Sequence, residues 1–346
     1  MTSPDRAVAV VQPRPGIGDM IWHLPHIRAI AAHVGEPVTL ITKPRSAADQ
    51  IFSAERTVRD ILWLDRNPDG RAGAHDGGRG FLRAVLALRA RRFDAIYVLH
   101  HSKTIAAQAM LAGIPARYGY GYGIQRRFLN RPPVLEDAVL ARHPFDQATA
   151  WLRAAGIPMS DAEPVLPVTD AAVAAARSRL GFLFSPPRAP LAAIGIGSSE
   201  AYKQWGAARF AALADALAAR GGGPMILVGG KAEAALAAEI QARASVPLLT
   251  AIGWDLAEIA ALFSLSSYYV GNDTGVMNMA AAVGIRTYCL FGAVPPFHHS
   301  SRIVPILPPG GVSKTDGMAR LTVERVLAAI AADQAARAAP VARSRC

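Results

Sequence analysis

The sequence predicts two doubly wound α/β domains, each a parallel sheet wrapped by helices, and three observations point to this. Short β-branched apolar runs alternate with turns and helix-period segments, the pattern of consecutive βαβ units. The alternation stops and restarts around Ser185-Pro-Pro-Arg-Ala-Pro190. The chain has 346 residues, 51% of them apolar, which is too much for one ordinary core and fits two. The same apolar content excludes a largely disordered chain.

Each element follows from a local signal. Residues 7–11 read as a strand, leading through Pro13, Pro15, Gly16 and Gly18 into a helix over 20–33. Residues 38–42 form a strand before the 47–52 region, and residues 95–99 lead through His100, His101 and Ser102 to a helix ending at Gly113. The second series has a strand at 191–195 with a helix at 207–220, and a strand at 224–228 with a helix at 231–244. Strands at 268–271 and 287–291 follow, with a helix between them. The expected domains are 1–165 and 191–331, with a linker region over 166–190 and a disordered Ala/Arg-rich tail over 332–346. No repeat at fixed period is present. Ligands of open parallel sheets bind at the carboxyl ends of strands. Two such domains facing each other would enclose a cleft there, so informative residues should follow strands.

The balance of 37 Lys+Arg against 26 Asp+Glu leaves +11, which favours anionic partners. Residues 1–160 hold 21 basic and 13 acidic residues, and residues 161–346 hold 16 and 13, so the positive field belongs mainly to the first half. A GC-rich coding sequence would explain why 32 of the 37 basic residues are Arg, but not this asymmetry. The two cysteines, Cys289 and Cys346, offer neither a disulfide framework nor a cysteine zinc site, so a reducing cytoplasm is expected. Residues 1–6 carry Asp5 and run straight into a strand, unlike a signal peptide. The uncharged stretch 259–272 contains three serines and falls short of the roughly 20 apolar residues of a membrane span. A soluble protein is expected, with docking on a membrane surface left open.

Three motifs can carry chemistry. In Pro15-Gly16-Ile17-Gly18-Asp19, two glycines allow a sharp turn and close ligand approach, and Asp19 falls at a helix start. The spacing suits a helix-capping aspartate as well as a functional one. A dinucleotide fingerprint is not met, because the third glycine is missing here and at Gly195-Ile-Gly197-Ser-Ser-Glu200, and no Walker A sequence exists. In the second motif, Ser198, Ser199 and Lys203 follow a strand and could hold phosphate oxygens through hydroxyl, amide and ammonium groups. In the third, Asn272-Asp273 end a strand and Thr274-Gly275 open an apolar helix whose free amides and dipole form an anion site. An ordinary solvated lysine and a capping Asp or Thr would leave the same traces.

Together and in this order, the motifs resemble the bacterial heptosyltransferases of lipopolysaccharide core synthesis, glycosyltransferase family 9, over roughly residues 7–330. The residues that carry the resemblance are Val11-Gln-Pro-Arg-Pro-Gly-Ile-Gly-Asp-Met20, Leu24-Pro25, Ser102-Lys103 through Gly119, Lys203-Gln-Trp205, Gly271-Asn-Asp-Thr-Gly275 and Ala280-Ala-Ala282. Residues 112–130 look most like the heptosyltransferase II branch. The resemblance implies the GT-B fold, two Rossmann-like domains facing a central cleft, with the donor held by the C-terminal one. It implies an inverting, metal-independent transfer from a nucleotide sugar, ADP-heptose, with no cofactor. Asp19 is then the catalytic base, and Lys203 serves both catalysis and donor binding. Ser198, Ser199 and the amides of Thr274, Gly275 and Val276 match the diphosphate site. Asp273 matches the contact to the donor sugar, Glu233 a ribose-binding carboxylate and Trp254 the residue against the base. Asn278 stands where the family usually has His and is carried as a donor-site residue, and Ala293 stands where Pro is usual. Gly18, Lys43, Arg45, Lys103, Arg117, Arg126 and Arg127 would serve an anionic glycolipid acceptor. A cytoplasmic monomer is implied, with peripheral contact at the inner membrane face and no nucleic-acid partner. Two alternatives stay open: another NDP-sugar donor for capsule, protein or small-molecule glycosylation, and a non-catalytic nucleotide-sugar-binding protein. The presence of both Asp19 and Lys203 argues against the last.

Overall fold

Every strand pair in the computed structural model is parallel, as the alternating pattern demands. The structure describes residues 7–67, 70–160, 163–181 and 191–338. It divides into two units, Met1–Pro167 and Val168–Cys346.

The N-terminal unit runs β1 (Val8–Val11), α1 (Ile17–Val34), β2 (Val38–Thr42), α2 (Ala48–Ile51), β3 (Val58–Trp63) and α3 (Gly77–Ala90), then β4 (Ala95–Val98), α4 (Lys103–Leu111), β5 (Ala116–Gly119), α5 (Asp137–Leu140) and α6 (Pro144–Ala154). The sheet order is β3-β2-β1-β4-β5. The chain therefore winds outward from β1, then crosses back and continues from β4 on the other side. β1 and β4 lie in register from Val8 opposite Ala95 to Val11 opposite Val98. All four β1 residues are buried, so this central pair needs side chains apolar on both faces. The loops after β1 and β4 diverge at this switch point, where a parallel sheet opens a crevice.

The C-terminal unit runs α7 (Asp170–Leu180), β6 (Ala192–Gly195), α8 (Ala207–Ala219), β7 (Met225–Gly229), α9 (Ala234–Arg243) and β8 (Leu249–Ile252). It continues with α10 (Leu256–Ser264), β9 (Tyr268–Asn272), α11 (Gly275–Val283), β10 (Arg286–Leu290), β11 (Ile303–Ile306), α12 (Gly317–Arg320) and α13 (Val323–Ala338). The order β11-β10-β9-β6-β7-β8 puts the switch point between β6 and β9. There Gly195 sits opposite Gly271. A β-carbon on Gly195 would overlap the phenol of Tyr269, and one on Gly271 would overlap the Gly195 carbonyl. Two glycines thus let the buried Tyr269 ring fill the space beneath the strand ends, where its hydroxyl hydrogen-bonds the Thr274 side chain.

Four strands lack a clear sequence signal: β3, β5, β8 and β11. Each is the edge of its sheet. Edge strands are covered less completely and can carry Arg59 and Asp60, as β3 does, or Pro305, as β11 does. The stretch expected as a linker contains α7, started by Thr169, whose side chain accepts the Ala172 amide, and packed on α10. Residues 182–190 of that stretch lie outside the described residues. The sequence expected as a tail continues α13 to Ala338, and residues 339–346 lie outside the described residues.

Because Tyr269 is only 1% exposed, it has no room to yield to a new methyl group. Gly195→Ala is expected to destabilise the C-terminal unit by about 1–3 kcal/mol in urea unfolding. Gly271→Ala should cost at least as much, since the obstacle is backbone.

Candidate functional site

In the N-terminal unit, the carboxyl end of β1 delivers the chain through Gln12, Arg14 and Gly16 to the first turn of α1. Gly16 is the N-cap, and Asp19 stands in the first turn rather than capping it. The missing side chain of Gly16 leaves room for the Asp19 carboxylate, which would otherwise meet a β-carbon there at 2.6 Å. Burial pushes the Asp19 pKa up, while the Arg14 charge and the Gly16 amide pull it back without cancelling the rise. The result is a carboxylate whose proton affinity is above the ordinary value yet tempered by one cation.

Two buried imidazoles with lowered pKa lie near the same Arg14 charge. His23 Nδ1 donates to the Asp19 carbonyl at 2.7 Å. Burial, opposed by that hydrogen bond and aided by Arg14 and His143, takes the His23 pKa down to about 4. His100, in the loop after β4, is likewise taken to about 4 by burial, then by Arg14, His101, His23 and Lys43. His23 Nε2, His100 Nδ1 and the Tyr120 hydroxyl are buried without a hydrogen-bond partner among the described residues. Gln125 fixes the neighbouring loop by donating to the His100 carbonyl at 2.8 Å. The segments at this end of the sheet therefore hold one carboxylate of raised proton affinity, one cation and three buried polar atoms without a hydrogen-bond partner among the described residues.

Gly18 and the basic residues expected near an acceptor separate into groups. Lys43 is half-buried after β2 and close enough to act on His100. Gly18 is buried inside the first turn of α1. Arg45, Lys103, Arg126 and Arg127 are exposed. Arg117 turns inward, donating to the carbonyls of Phe128 at 2.8 Å and Ile114 at 2.6 Å. Its guanidinium braces the loop that carries Arg126 and Arg127.

In the C-terminal unit, the loop after β6 and the end of β9 meet across the switch point. Lys203 Nζ lies 2.9 Å from Asp273 Oδ2 and 3.2 Å from Glu200 Oε2. Burial disfavours the Lys203 charge, but Asp273 and Glu200 outweigh it and raise the pKa. Asn272, fully buried, holds the two strand ends together. Its Nδ2 donates to the carbonyls of Ile196 and Gly197, both at 3.1 Å, and to Gln204 Oε1 at 3.2 Å. Thr274 caps α11 by accepting the Met277 amide, so the amides of Gly275 and Val276 in the first turn have no intrahelical partner. Asn278 is buried and donates back to the Thr274 carbonyl at 3.1 Å.

The remaining donor-site candidates are placed less uniformly. The Ser198 hydroxyl closes a local turn with Glu200, and Ser199 is exposed. Glu233 accepts the Gly230 amide at 2.8 Å and lies beside Gly197 at the end of β6. Trp254 carries the Arg179 guanidinium 3.9 Å above its ring, and Arg179 Nη1 also donates to both Glu258 oxygens. Arg14, Asn272 and Gln204 join these sites without a mark in the sequence pattern. Arg14 lies between two prolines, and Asn272 and Gln204 act through side-chain hydrogen bonds, so none of the three leaves a spacing signal. Among the described residues, no group of three or more His, Cys, Asp or Glu side chains could hold a metal ion, and no helix is long and apolar enough to cross a membrane.

Residues 81–306 match the sequence profile of glycosyltransferase family 9 (heptosyltransferase). No curated protein sequence matches the chain. Among solved structures, a family 9 glycosyl transferase from Veillonella parvula DSM 2008 superposes with a TM-score of 0.77 at 18% identity, covering 94% of this chain and 96% of that one. E. coli ADP-heptose LPS heptosyltransferase II gives 0.74 at 21% identity, covering 96% and 100%. E. coli heptosyltransferase WaaC with ADP-2-deoxy-2-fluoro heptose gives 0.69 at 19%, covering 94% and 99%. These likenesses establish the GT-B fold.

The raised Asp19 pKa has a consequence for stability with a definite sign. The folded protein holds this proton more tightly than the unfolded chain, so the ionised carboxylate costs stability as pH rises above the ordinary carboxylate range. Asp19→Asn should therefore melt higher than the parent at neutral pH. The gap should close as pH falls below about 4. Equal melting at neutral pH, or a gap that widens in acid, would contradict the desolvated state of Asp19.

Proposed function

The chain belongs to glycosyltransferase family 9, and from that premise we propose that it moves a heptose from ADP-heptose to a lipopolysaccharide inner-core or related lipid-linked acceptor, with inversion at the anomeric carbon and without a metal. The observation that carries this reading is the placement of Asp19 and of the Lys203–Asp273 pair, each at the switch point of its own sheet.

The reaction needs a base for the acceptor hydroxyl and a cation for the leaving diphosphate. Asp19 takes the hydroxyl proton as the oxygen attacks the anomeric carbon. Its raised pKa suits this task, because a base works best when its pKa approaches the working pH. Arg14 opposes the rise that burial causes and so favours the ionised carboxylate. Lys43, Arg45, Lys103, Arg126 and Arg127 add positive potential for an acceptor bearing carboxylates and phosphates. As the bond to the diphosphate breaks, negative charge builds on its oxygens. Lys203, the α11 amides of Thr274, Gly275 and Val276, and the Ser198 and Ser199 hydroxyls stabilise it as fixed donors. In the free protein Lys203 is shared by two carboxylates. The more exposed, Glu200, is the one the diphosphate displaces, while Asp273 keeps the ammonium in place and reads donor hydroxyls. Glu233 serves the ribose and Trp254 the base.

A second reading, transfer of another sugar from a different NDP donor, is favoured by Asn278. Its side chain is committed to the Thr274 carbonyl at the donor helix, where the family usually has His.

Thermal-shift titration with ADP, UDP and GDP separates the two readings. A preference for ADP supports the first, and a preference for UDP or GDP moves the assignment to the second. Lys203→Ala should lose most of the nucleotide-induced shift and lower turnover. Asp19→Asn should keep the shift but lose about 10²–10⁴ in transfer rate. Transfer within a few fold of the parent would remove Asp19 from the role of base.

A further inference from the structure

All eight large apolar side chains found exposed among the described residues lie in the N-terminal unit, and seven of them fall between residues 82 and 134. They lie on elements that pack side by side, α3 against α4 and α4 against the 3-10 turn Gly123–Phe128. Leu82 and Leu86 stand 57% and 56% exposed on α3. Met110 and Leu111 end α4, and Tyr122 and Ile124 open the 3-10 turn. Scattered singly, such residues need no explanation, but a cluster rimmed by charge marks an interaction surface.

The charge of the same segment is extreme. Residues 77–134 contain ten Lys+Arg and a single acid, Asp94, whose carboxylate accepts the Ala7 amide. On α3 the exposed positions 79, 82, 83, 86 and 89 form one helical stripe that reads Arg, Leu, Arg, Leu, Arg. Arg79, Arg83, Arg89, Lys103, Arg126 and Arg127 have no carboxylate partner among the described residues.

We propose that this outer layer of the N-terminal unit is a docking surface for an anionic lipid bilayer. A bilayer surface supplies both things the layer asks for: an apolar phase for Leu82, Leu86 and their neighbours, and anionic headgroups for the arginines beside them. A nucleic acid would meet the charge but leave the leucines in water. Docking by this layer holds the N-terminal unit at the surface from which a lipid-linked acceptor would be presented. The proposal extends that reading of the acceptor but is tested apart from it, with vesicles that contain no glycolipid.

The test is co-sedimentation of the full chain with vesicles of phosphatidylcholine alone and of phosphatidylcholine with phosphatidylglycerol in equal parts. Binding is expected only with phosphatidylglycerol and should weaken as salt is raised. The paired variants Arg79→Glu/Arg83→Glu and Leu82→Gln/Leu86→Gln should each lose at least about tenfold in binding while keeping the parent's melting temperature. No binding to phosphatidylglycerol vesicles overturns the proposal, as does equal binding by folded variants. Light scattering supplies a further outcome: a dimer that Leu82→Gln/Leu86→Gln dissolves would make this face a contact between two copies and overturn bilayer docking. Failure here leaves nucleotide-induced shifts untouched, so it is distinguishable from failure of the transferase reading.

Discussion

The adjacency of β6 and β9, clamped by the Asn272 amide, is the constraint on which the C-terminal site depends. These strands are far apart in the chain, yet their register brings Gly195 level with Gly271, where a larger residue would meet the Tyr269 ring or the Gly195 carbonyl. Asn272 then ties both carbonyls of the Ile196–Gly197 turn and the Gln204 side chain to the end of β9. Only with those two segments fixed can Lys203, from the loop after β6, reach Asp273, from the end of β9. The ion pair reports the topology rather than creating it. A half-buried pair of this kind contributes modestly to stability, and under the proposed function its value is in holding a cation at the donor site.

The N-terminal unit solves a different problem with the same topology. The loops after the paired strands β1 and β4 diverge, and the Pro- and Gly-rich turn after β1 sets Asp19 in the first turn of α1, where His23 bonds its carbonyl. Burial raises the proton affinity of the carboxylate, and Arg14 limits the rise. The histidines are neutral because they are buried and share the neighbourhood of that cation. The Asp19 carboxylate is thus kept in an environment that resists ionisation, which suits the proposed role of a base with raised proton affinity.

How much of this was legible in the sequence depended on burial. The seven strands read from apolar runs, β1, β2, β4, β6, β7, β9 and β10, are the interior strands of the two sheets. The four without a clear run are the edges, where one side faces less cover and Arg59, Asp60, Arg117 or Pro305 can stand. Helix α7 carries little sequence signal because it is Ala-rich and buries only Ala176 and Leu180. In the site, Asp19 and Asp273 are visible as acids in glycine-containing turns after strands, and Lys203 as a lysine following the small hydroxyl residues Ser198 and Ser199. Asn272 and Gln204 act by side-chain hydrogen bonds to backbone from other segments, which leave no spacing signature. Arg14 was hidden by its own neighbours, since two prolines make it look like part of a turn. The inward course of Arg117 could not be read either, because charge alone does not say which way a guanidinium points.

The central claim is that the β6–β9 switch point of the C-terminal unit holds a nucleoside diphosphate while the Asp19 crevice of the N-terminal unit does not. Hydrogen exchange read by mass spectrometry, with and without saturating ADP, tests it directly. Slowed exchange at residues 196–205 and 273–277, with residues 16–20 unchanged, is the predicted result. Protection at residues 16–20 with none at the β6 and β9 loops would contradict the account.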